Sequence, residues 1–244
     1  MNKPDTIQQN DFPNLCHYAD NTTLVTELAE RIAQILEQAI AQHGRATMAV
    51  SGGSTPIPLF EKLSLAVIDW DKVVITLVDE RWVEPDHEDS NEALVHRHLL
   101  KNNAASAEFI GLKVSCNTPF LGEQAVANRL RRFDGAFDVL VLGMGNDGHT
   151  ASLFTDGEPL QYALEPRQGE PCCGMVRGDL EHPRITLTLP RILNSRYLFL
   201  HTVGDSKLEL LKAAQQPGSI NELPIRAVLN QHQTPLYLYH AAQE

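Results

Sequence analysis

The sequence predicts a three-layer α/β fold, in which helices cover both faces of a mostly parallel, Rossmann-like sheet. Short apolar runs with the length of strands alternate with stretches of helical periodicity. Three of the apolar runs end in segments rich in glycine or charge, as buried parallel strands do where they meet their turns. With 244 residues, 43% of them hydrophobic, the chain can bury a substantial core. We therefore expect a single domain over residues 1–244.

The first element is a long amphipathic helix. Leucine or isoleucine recurs every four residues over 24–40, which predicts a helix packed on an apolar surface. Asn21 or Thr22 is expected to cap its start, and Gly44 to end it. The apolar run 47–50 that follows has the length and composition of a buried strand.

Strand and helix signals then alternate to the end of the chain. The turn 51–56 combines two glycines with a final proline, which predicts a Ser/Thr-capped helix that begins at Pro56. A strand over 73–78 precedes a helix over 91–100 that Ser90 caps. The remaining predicted elements are helices over 123–133 and 206–214 and strands over 137–142, 185–189, 197–203 and 236–239. Residues 155–183 give no periodic signal, and we expect a long excursion near the site.

Composition restricts the class of partner. Lys and Arg number 20 against 31 Asp and Glu, a formal charge of −11, which disfavours a nucleic-acid partner but still allows a pocket for a small anion. The four cysteines lack zinc-site spacing, and we expect reduced thiols. The N-terminus is polar and no apolar run reaches the length of a membrane span. We therefore expect a soluble, cytoplasmic protein with no membrane partner.

The first candidate site segment follows the strand over 47–50. Its glycines let the backbone turn tightly, and the following helix directs free N–H groups toward a ligand, which predicts a phosphate or carboxylate cradle. An ordinary capped turn is the alternative. The segment lacks the lysine of a P-loop, which disfavours nucleotide triphosphates. Its candidate anion-binding residues are Ser51, Gly52, Gly53, Ser54 and Thr55.

The second segment places Asp79 and Arg81 just past an apolar strand. Arg81 is suited to bind a phosphate or carbonyl oxygen, and Asp79 to orient a neighbour. The alternative is a solvated loop. The acidic residues over 84–89 are interpreted as an exposed loop rather than a metal site. His96 and His98 do not share a helix face, so no metal site is expected.

The third segment matches the pattern G-x-G-x-x-G through Gly143, Gly145 and Gly148. A dinucleotide-binding turn is disfavoured, because the match follows the third strand and no acidic strand end follows about 20 residues later. Asp147 and His149 instead bring an acid and an imidazole into one flexible turn. Imidazole accepts protons near neutral pH, so His149 is a candidate general base, with a purely structural histidine as the alternative.

Two basic residues downstream are candidates to complete an anion site. Arg184 heads a predicted strand, and Lys207 follows the end of another. Taken alone, each is more often a surface charge or a helix-start residue. They are candidates because the three segments before them predict a site for an anion.

In this order, the segments resemble the 6-phosphogluconolactonase family over nearly the whole chain. The resemblance implies the fold shared with glucosamine-6-phosphate deaminases and ribose-5-phosphate isomerases, and an enzyme of the oxidative pentose phosphate pathway without metal or organic cofactor. Two positions depart from the family: Thr155 replaces a common proline, and Tyr239 stands near a usual aspartate. The matching residues are 51–56, Asp79-Glu80-Arg81, Ser90-Asn91, 143–154, 184–188, Gly204 and Lys207.

The resemblance implies hydrolysis of 6-phospho-D-glucono-1,5-lactone, with His149 as the base that activates water. Asp147 or Asp79 is expected to orient the imidazole or the water, and Arg81 or glycine-turn N–H groups to stabilise the oxyanion. The substrate phosphate is expected on residues 51–55, neutralised by Lys207, with Arg184 as the second candidate. The chain is expected to be a monomer or homodimer.

Two rival functions remain open at this point. A sugar-phosphate deaminase or isomerase would share the phosphate loop but needs a carboxylate aimed at C2 of the sugar. A sugar-phosphate sensor domain of a transcription regulator is disfavoured by the net charge and by the short segment before the first helix.

Overall fold

The computed structural model describes Phe12 and residues 14–243, so the polar N-terminal segment that bears on targeting lies outside the described residues. The strands are β1 (Leu15–Tyr18), β2 (Ala46–Val50), β3 (Val73–Leu77), β4 (Asp79–Arg81), β5 (Glu108–Ile110), β6 (Phe137–Leu142), β7 (Cys172–Met175), β8 (Arg184–Leu187), β9 (Ser195–Val203) and β10 (Leu236–Ala241). The helices are α1 (Asn21–His43), α2 (Ile57–Leu63), α3 (Asn91–His98), α4 (Pro119–Leu130), α5 (Leu160–Leu164), α6 (Leu189–Leu193), α7 (Asp205–Gln215) and α8 (Arg226–Leu229).

Within the described residues, the main sheet has seven parallel strands in the order β1-β10-β9-β6-β2-β3-β5. Every residue of β2, β3 and β6 is buried, as expected for parallel strands covered by helices. The predicted α/β fold class is therefore confirmed. Strand order reverses at β2, because β3 pairs on one of its sides and β6 on the other. In open α/β sheets, such a reversal opens a crevice at the carboxyl ends of the strands.

Helix α1 covers β2, β6 and β10 with the predicted apolar stripe, in which Leu28 and Ile32 are fully buried. Its N-cap is Asp20, whose carboxylate accepts a hydrogen bond from the Thr23 N–H at 2.9 Å, so the prediction of Asn21 or Thr22 as the cap is wrong. Its end is as predicted. Gly44 adopts a left-handed φ of 76°, which glycine accommodates without strain.

A second sheet, with three antiparallel strands in the order β4-β8-β7, was not predicted. Its strands have three or four residues each, too few for a clear alternating pattern. In this sheet β4, which directly follows β3, pairs with β8, whose residues lie near position 185. Helix α2 also departs from the prediction: it begins at Ile57 rather than Pro56, and no side chain caps it.

No helix in the described part of the chain is long and apolar enough to cross a membrane. The four cysteines are free thiols. The two departures from the family pattern make ordinary packing contacts. Tyr239 is buried and stacks on Tyr18 with ring centroids 6.0 Å apart, and Thr155 Oγ1 donates to the carbonyl of Glu222 at 3.3 Å.

Candidate active site

The site lies at the strand-order reversal, where the loops after β2 and β6 meet. The Gly143 N–H donates to Ser51 Oγ at 3.1 Å and joins the two loops. Together with the small sheet, these loops line a cavity of about 360 Å³. The predicted site residues that line it are Ser51, Gly52, Gly53, Ser54, Thr55, Asp79, Arg81, Gly143, Gly145, His149 and Arg184.

The loop after β2 presents unused backbone donors. Gly53 has a φ of +90°, which glycine adopts without strain and which lets the chain turn sharply before α2. Within the described residues, no acceptor pairs with the N–H groups of residues 52–55, whereas the Ser51 and Ile57 N–H groups are both used. Four consecutive free donors at the rim of a cavity favour an anionic ligand.

Asn91 packs against this loop. Its Nδ2 donates to the Asp79 carbonyl at 2.9 Å, while its buried Oδ1 has no hydrogen-bond partner. A Cβ added to Gly52 would lie 1.9 Å from that oxygen, so the close approach requires glycine at position 52.

Asp79 and Glu80 are buried in β4, so the alternative of a solvated loop is wrong. The Asp79 carboxylate accepts from Ser152 Oγ at 2.6 Å. Both oxygens of Glu80 accept two hydrogen bonds each, from the N–H groups of Arg81, Asn91 and Glu92 and the hydroxyl of Ser90. Burial raises the pKa of Glu80 to about 7, although these four donors favour its ionised form. Glu80 thereby fixes the start of α3, including Asn91.

Arg81 and Arg184 are direct cross-strand neighbours in β4 and β8, and both line the cavity. Arg81 Nη1 donates to the Asp89 carbonyl, and Arg184 Nη1 donates to the His182 carbonyl at 2.7 Å. Burial, and then the nearby positive charge of Arg81, lower the pKa of Arg184. Two guanidinium groups on adjacent strands give this wall of the cavity the charge and geometry to bind an anion.

The two ring nitrogens of His149 have different roles: Nδ1 binds a carboxylate, and Nε2 is available to a ligand. Nδ1 lies 2.5 Å from Asp147 Oδ1, and no hydrogen bond joins Nε2 to another of the described residues. The other oxygen of Asp147 accepts from Arg177 Nη1 at 2.9 Å. The bonds to His149 and then to Arg177 hold the pKa of Asp147 well below its usual range. An ionised Asp147 accepts a hydrogen bond from the Nδ1–H group, which leaves the Nε2 lone pair free to act as a base.

Three predicted residues do not line the cavity. Asp147 lies behind the imidazole. Gly148, with a φ of +78°, packs against Leu223 and allows the turn that positions the ring. Lys207 Nζ donates to the Met144 carbonyl at 2.6 Å and so supports the glycine loop.

Four residues of the site region were missed by the sequence analysis: Glu80, Asn91, Arg177 and His201. Arg177 comes from the segment 155–183, where no periodic signal located it, although the expectation of an excursion near the site is consistent with its place. Glu80 and the Ser90-Asn91 dipeptide carried a signal only through the family resemblance. Arg177 and His201 gave none, because their partners Asp147 and Asn21 are distant in sequence.

His201 makes the stability of the protein sensitive to acid. It is 2% exposed, and its buried Nδ1 has no partner. Burial, and then neighbouring His240, lower its pKa from 6.5 to about 4. A folded-state pKa below the unfolded value stabilises the fold above pH 6.5, and this contribution is lost as pH falls toward 4.

We expect His201→Asn to reduce the pH dependence of stability. In urea unfolding at pH 7 and pH 5, the wild-type protein should lose about 2 kcal/mol more between the two conditions than His201→Asn does. Comparing the two proteins removes the contributions of Glu80 and other titrating groups. Equal losses in the wild type and in His201→Asn would contradict the lowered pKa of His201.

Comparisons with known proteins identify similar chains and a similar solved structure. The chain is 41% identical to a 6-phosphogluconolactonase of Rhizobium meliloti over 226 residues, which cover 92% of this chain and 97% of that protein. It is 39% identical to a 6-phosphogluconolactonase of Pseudomonas putida, covering 91% and 90%. A crystal structure of a 6-phosphogluconolactonase from Shewanella baltica superimposes with a TM-score of 0.91 at 44% identity, covering 93% and 97%.

A family model described as "Glucosamine-6-phosphate isomerases/6-phosphogluconolactonase" matches residues 19–237. This span includes both cavity loops, the small sheet and all the predicted site residues. By sequence and by fold, the chain belongs to the glucosamine-6-phosphate isomerase/6-phosphogluconolactonase family.

Proposed function

We propose that the chain hydrolyses 6-phospho-D-glucono-1,5-lactone to 6-phospho-D-gluconate, the second step of the oxidative pentose phosphate pathway. One observation carries the proposal: His149, with a free Nε2, lines the same cavity as the free N–H groups of residues 52–55. A phosphorylated lactone needs both a base for water and a cradle for its phosphate. The 6-phosphogluconolactonase relatives at about 40% identity support this choice.

The phosphate group is assigned to residues 51–55. Backbone donors from this loop surround the phosphate oxygens, and the guanidinium of Arg184 neutralises their charge. Lys207 acts on the phosphate site indirectly, by holding the carbonyl of Met144 and with it the glycine loop. No covalent bond to the protein forms in this arrangement.

The reaction begins with a water molecule between His149 Nε2 and the lactone carbonyl. The imidazole removes a proton as the water oxygen bonds to C1, while Asp147 stabilises the resulting imidazolium through Nδ1. Between the two aspartates expected to orient the base, we assign the role to Asp147, because Asp79 accepts instead from Ser152. The negative oxygen on C1 is stabilised by Arg81 or by glycine-loop N–H groups.

Collapse of the tetrahedral intermediate breaks the bond between C1 and the ring oxygen. His149 returns its proton to that oxygen, which becomes the free hydroxyl of the open-chain product. The new carboxylic acid ionises near neutral pH, so each turnover releases one proton to solvent.

This proton provides the direct assay. Purified protein is titrated in a pH-stat with freshly generated 6-phosphoglucono-δ-lactone, and spontaneous opening is subtracted. Acid release above background supports the proposal, and its absence would end it. Glucosamine 6-phosphate is tested in parallel, because ammonia release would indicate instead the deaminase chemistry for which Asp79 supplies a carboxylate in the cavity.

Gly52→Ala should weaken substrate binding. The new Cβ would meet Asn91 Oδ1, so the loop or the amide must move and the four N–H groups lose their alignment. We expect KM to rise about tenfold or more, with a smaller change in kcat, because the phosphate is held in ground state and transition state alike. Gly178→Ala is the matched control, since its Cβ meets no atom within 4 Å. An unchanged KM in Gly52→Ala would contradict the phosphate assignment.

We also propose a cytoplasmic location, a single domain over residues 1–244, and a monomeric or homodimeric state. Light scattering on the purified chain distinguishes the two oligomeric states. A mass above that of a dimer would contradict both.

A further inference from the structure

Two histidines and an aspartate meet beside the cavity, outside the machinery assigned above. His87 and Asp89 belong to the loop between β4 and α3, and His182 to the segment that enters β8. Asp89 Oδ2 lies 3.2 Å from His182 Nε2 and 3.7 Å from His87 Nδ1. One ligand atom from each residue lies within 4.8 Å of the other two.

Two imidazole nitrogens and a carboxylate oxygen form a donor set that zinc-class ions favour. With bonds of about 2.0–2.2 Å, neighbouring tetrahedral ligands lie roughly 3.3–3.5 Å apart, close to both distances from Asp89. The ligand atoms of His87 and His182 lie within 4.8 Å of each other, and a movement of the exposed His87 ring would bring them to coordination distance. Coordination at Nδ1 of His87 would replace the hydrogen bond that this atom accepts from the Asp89 N–H at 3.1 Å.

We propose that His87, Asp89 and His182 bind one first-row transition-metal ion of the zinc class, with water in the remaining position. The sequence analysis interpreted residues 84–89 as an exposed acidic loop rather than a metal site, and it could not identify the third ligand, which lies 93 residues from Asp89 along the chain. An ion pair alone among such partly exposed groups would contribute little to stability.

The site is connected to the cavity through the backbones of its ligands. The carbonyl of Asp89 accepts from Arg81, and the carbonyl of His182 accepts from Arg184. An ion that fixes Asp89 and His182 therefore also restricts the two guanidinium groups that line the cavity. The three ligands act on the cavity as positioning residues.

Zinc binding tests the site without any substrate, so its result is independent of the proposed function. The untagged chain is stripped with EDTA and titrated with zinc chloride near neutral pH, and bound metal is counted after dialysis. We expect about one zinc ion per wild-type chain and a rise in Tm on loading. His87→Gln and His182→Gln should each weaken binding tenfold or more, whereas the control His232→Gln, an exposed histidine elsewhere, should bind as the wild type does.

No zinc uptake by the wild type, or equal uptake in wild type and both ligand variants, would overturn the site. Because His87 is exposed, His87→Gln should keep its fold, and circular dichroism verifies this. The connection to the arginines rests on the proposed function and is tested separately. Zinc should lower the KM for the lactone on the order of fivefold in the wild type and leave it unchanged in His87→Gln. Equal responses would refute that connection while leaving the binding result intact.

Discussion

His149→Ala should lower kcat by about 10²–10⁴ while KM stays near the wild-type value. The imidazole is the group placed to remove a proton from water, and the phosphate-binding groups lie on other loops. Removing it therefore raises the barrier of the chemical step and leaves ground-state binding nearly intact. Initial rates from the pH-stat, measured across a range of lactone concentrations, separate the two parameters.

The role of Asp147 can be separated from that of the base. Asp147→Asn removes the negative charge behind Nδ1 but keeps the side chain's size, so we expect a smaller loss in kcat than in His149→Ala. His232→Ala controls for loss of an exposed histidine and should behave as the wild type. If His149→Ala keeps its kcat and raises only KM, the ring binds substrate and is not the base.

Glu80→Gln should cost about 2–4 kcal/mol of unfolding free energy. Four donors converge on the two oxygens of the buried Glu80. Glutamine keeps one oxygen and places an NH₂ group where Oε2 was. The Glu92 N–H then loses its acceptor and faces an amide N–H instead. Urea unfolding at pH 5 measures the loss, because Glu80, with a pKa of about 7, is then protonated in the folded protein, whereas at higher pH the cost of ionising the buried carboxyl offsets it.

Glu88→Gln is the matched control, because it removes one negative charge from an exposed position of the same region. Its stability should stay within about 0.5 kcal/mol of the wild type. A similar small effect in Glu80→Gln would show that the four hydrogen bonds are replaced by solvent. The variant should also weaken lactone binding, since Glu80 fixes the start of α3 and with it Asn91.

The strands and helices with strong periodicity were predicted well. The strand over 137–142 matches β6, and the buried stripe of α1 is the predicted one. Shorter elements were missed, including β1, β5 and β7, because three or four residues cannot establish a period. The cap of α1 was misplaced by one or two residues, since adjacent polar side chains have similar capping propensities.

Candidate-site residues could be identified from the sequence where the residues that act together are close in the chain. The Asp147–His149 pair and the loop 51–55 are each contained in a few consecutive residues, and their residue types indicate their chemistry. Arg177 and Glu80 could not be assigned in this way. The site residue that Arg177 binds, Asp147, lies 30 residues away, and the role of Glu80 depends on burial and on a helix that begins about ten residues later.

Local patterns in the sequence determined the α/β class, the strand-end turns and the type of chemistry, because periodicity and turn composition act over short stretches of chain. Only the tertiary structure decided which turns share a cavity, that Ser152 binds Asp79, and that Arg81 faces Arg184. These facts depend on strand order and on pairing between distant segments. No local pattern records such pairings, because they are fixed by how the whole core packs.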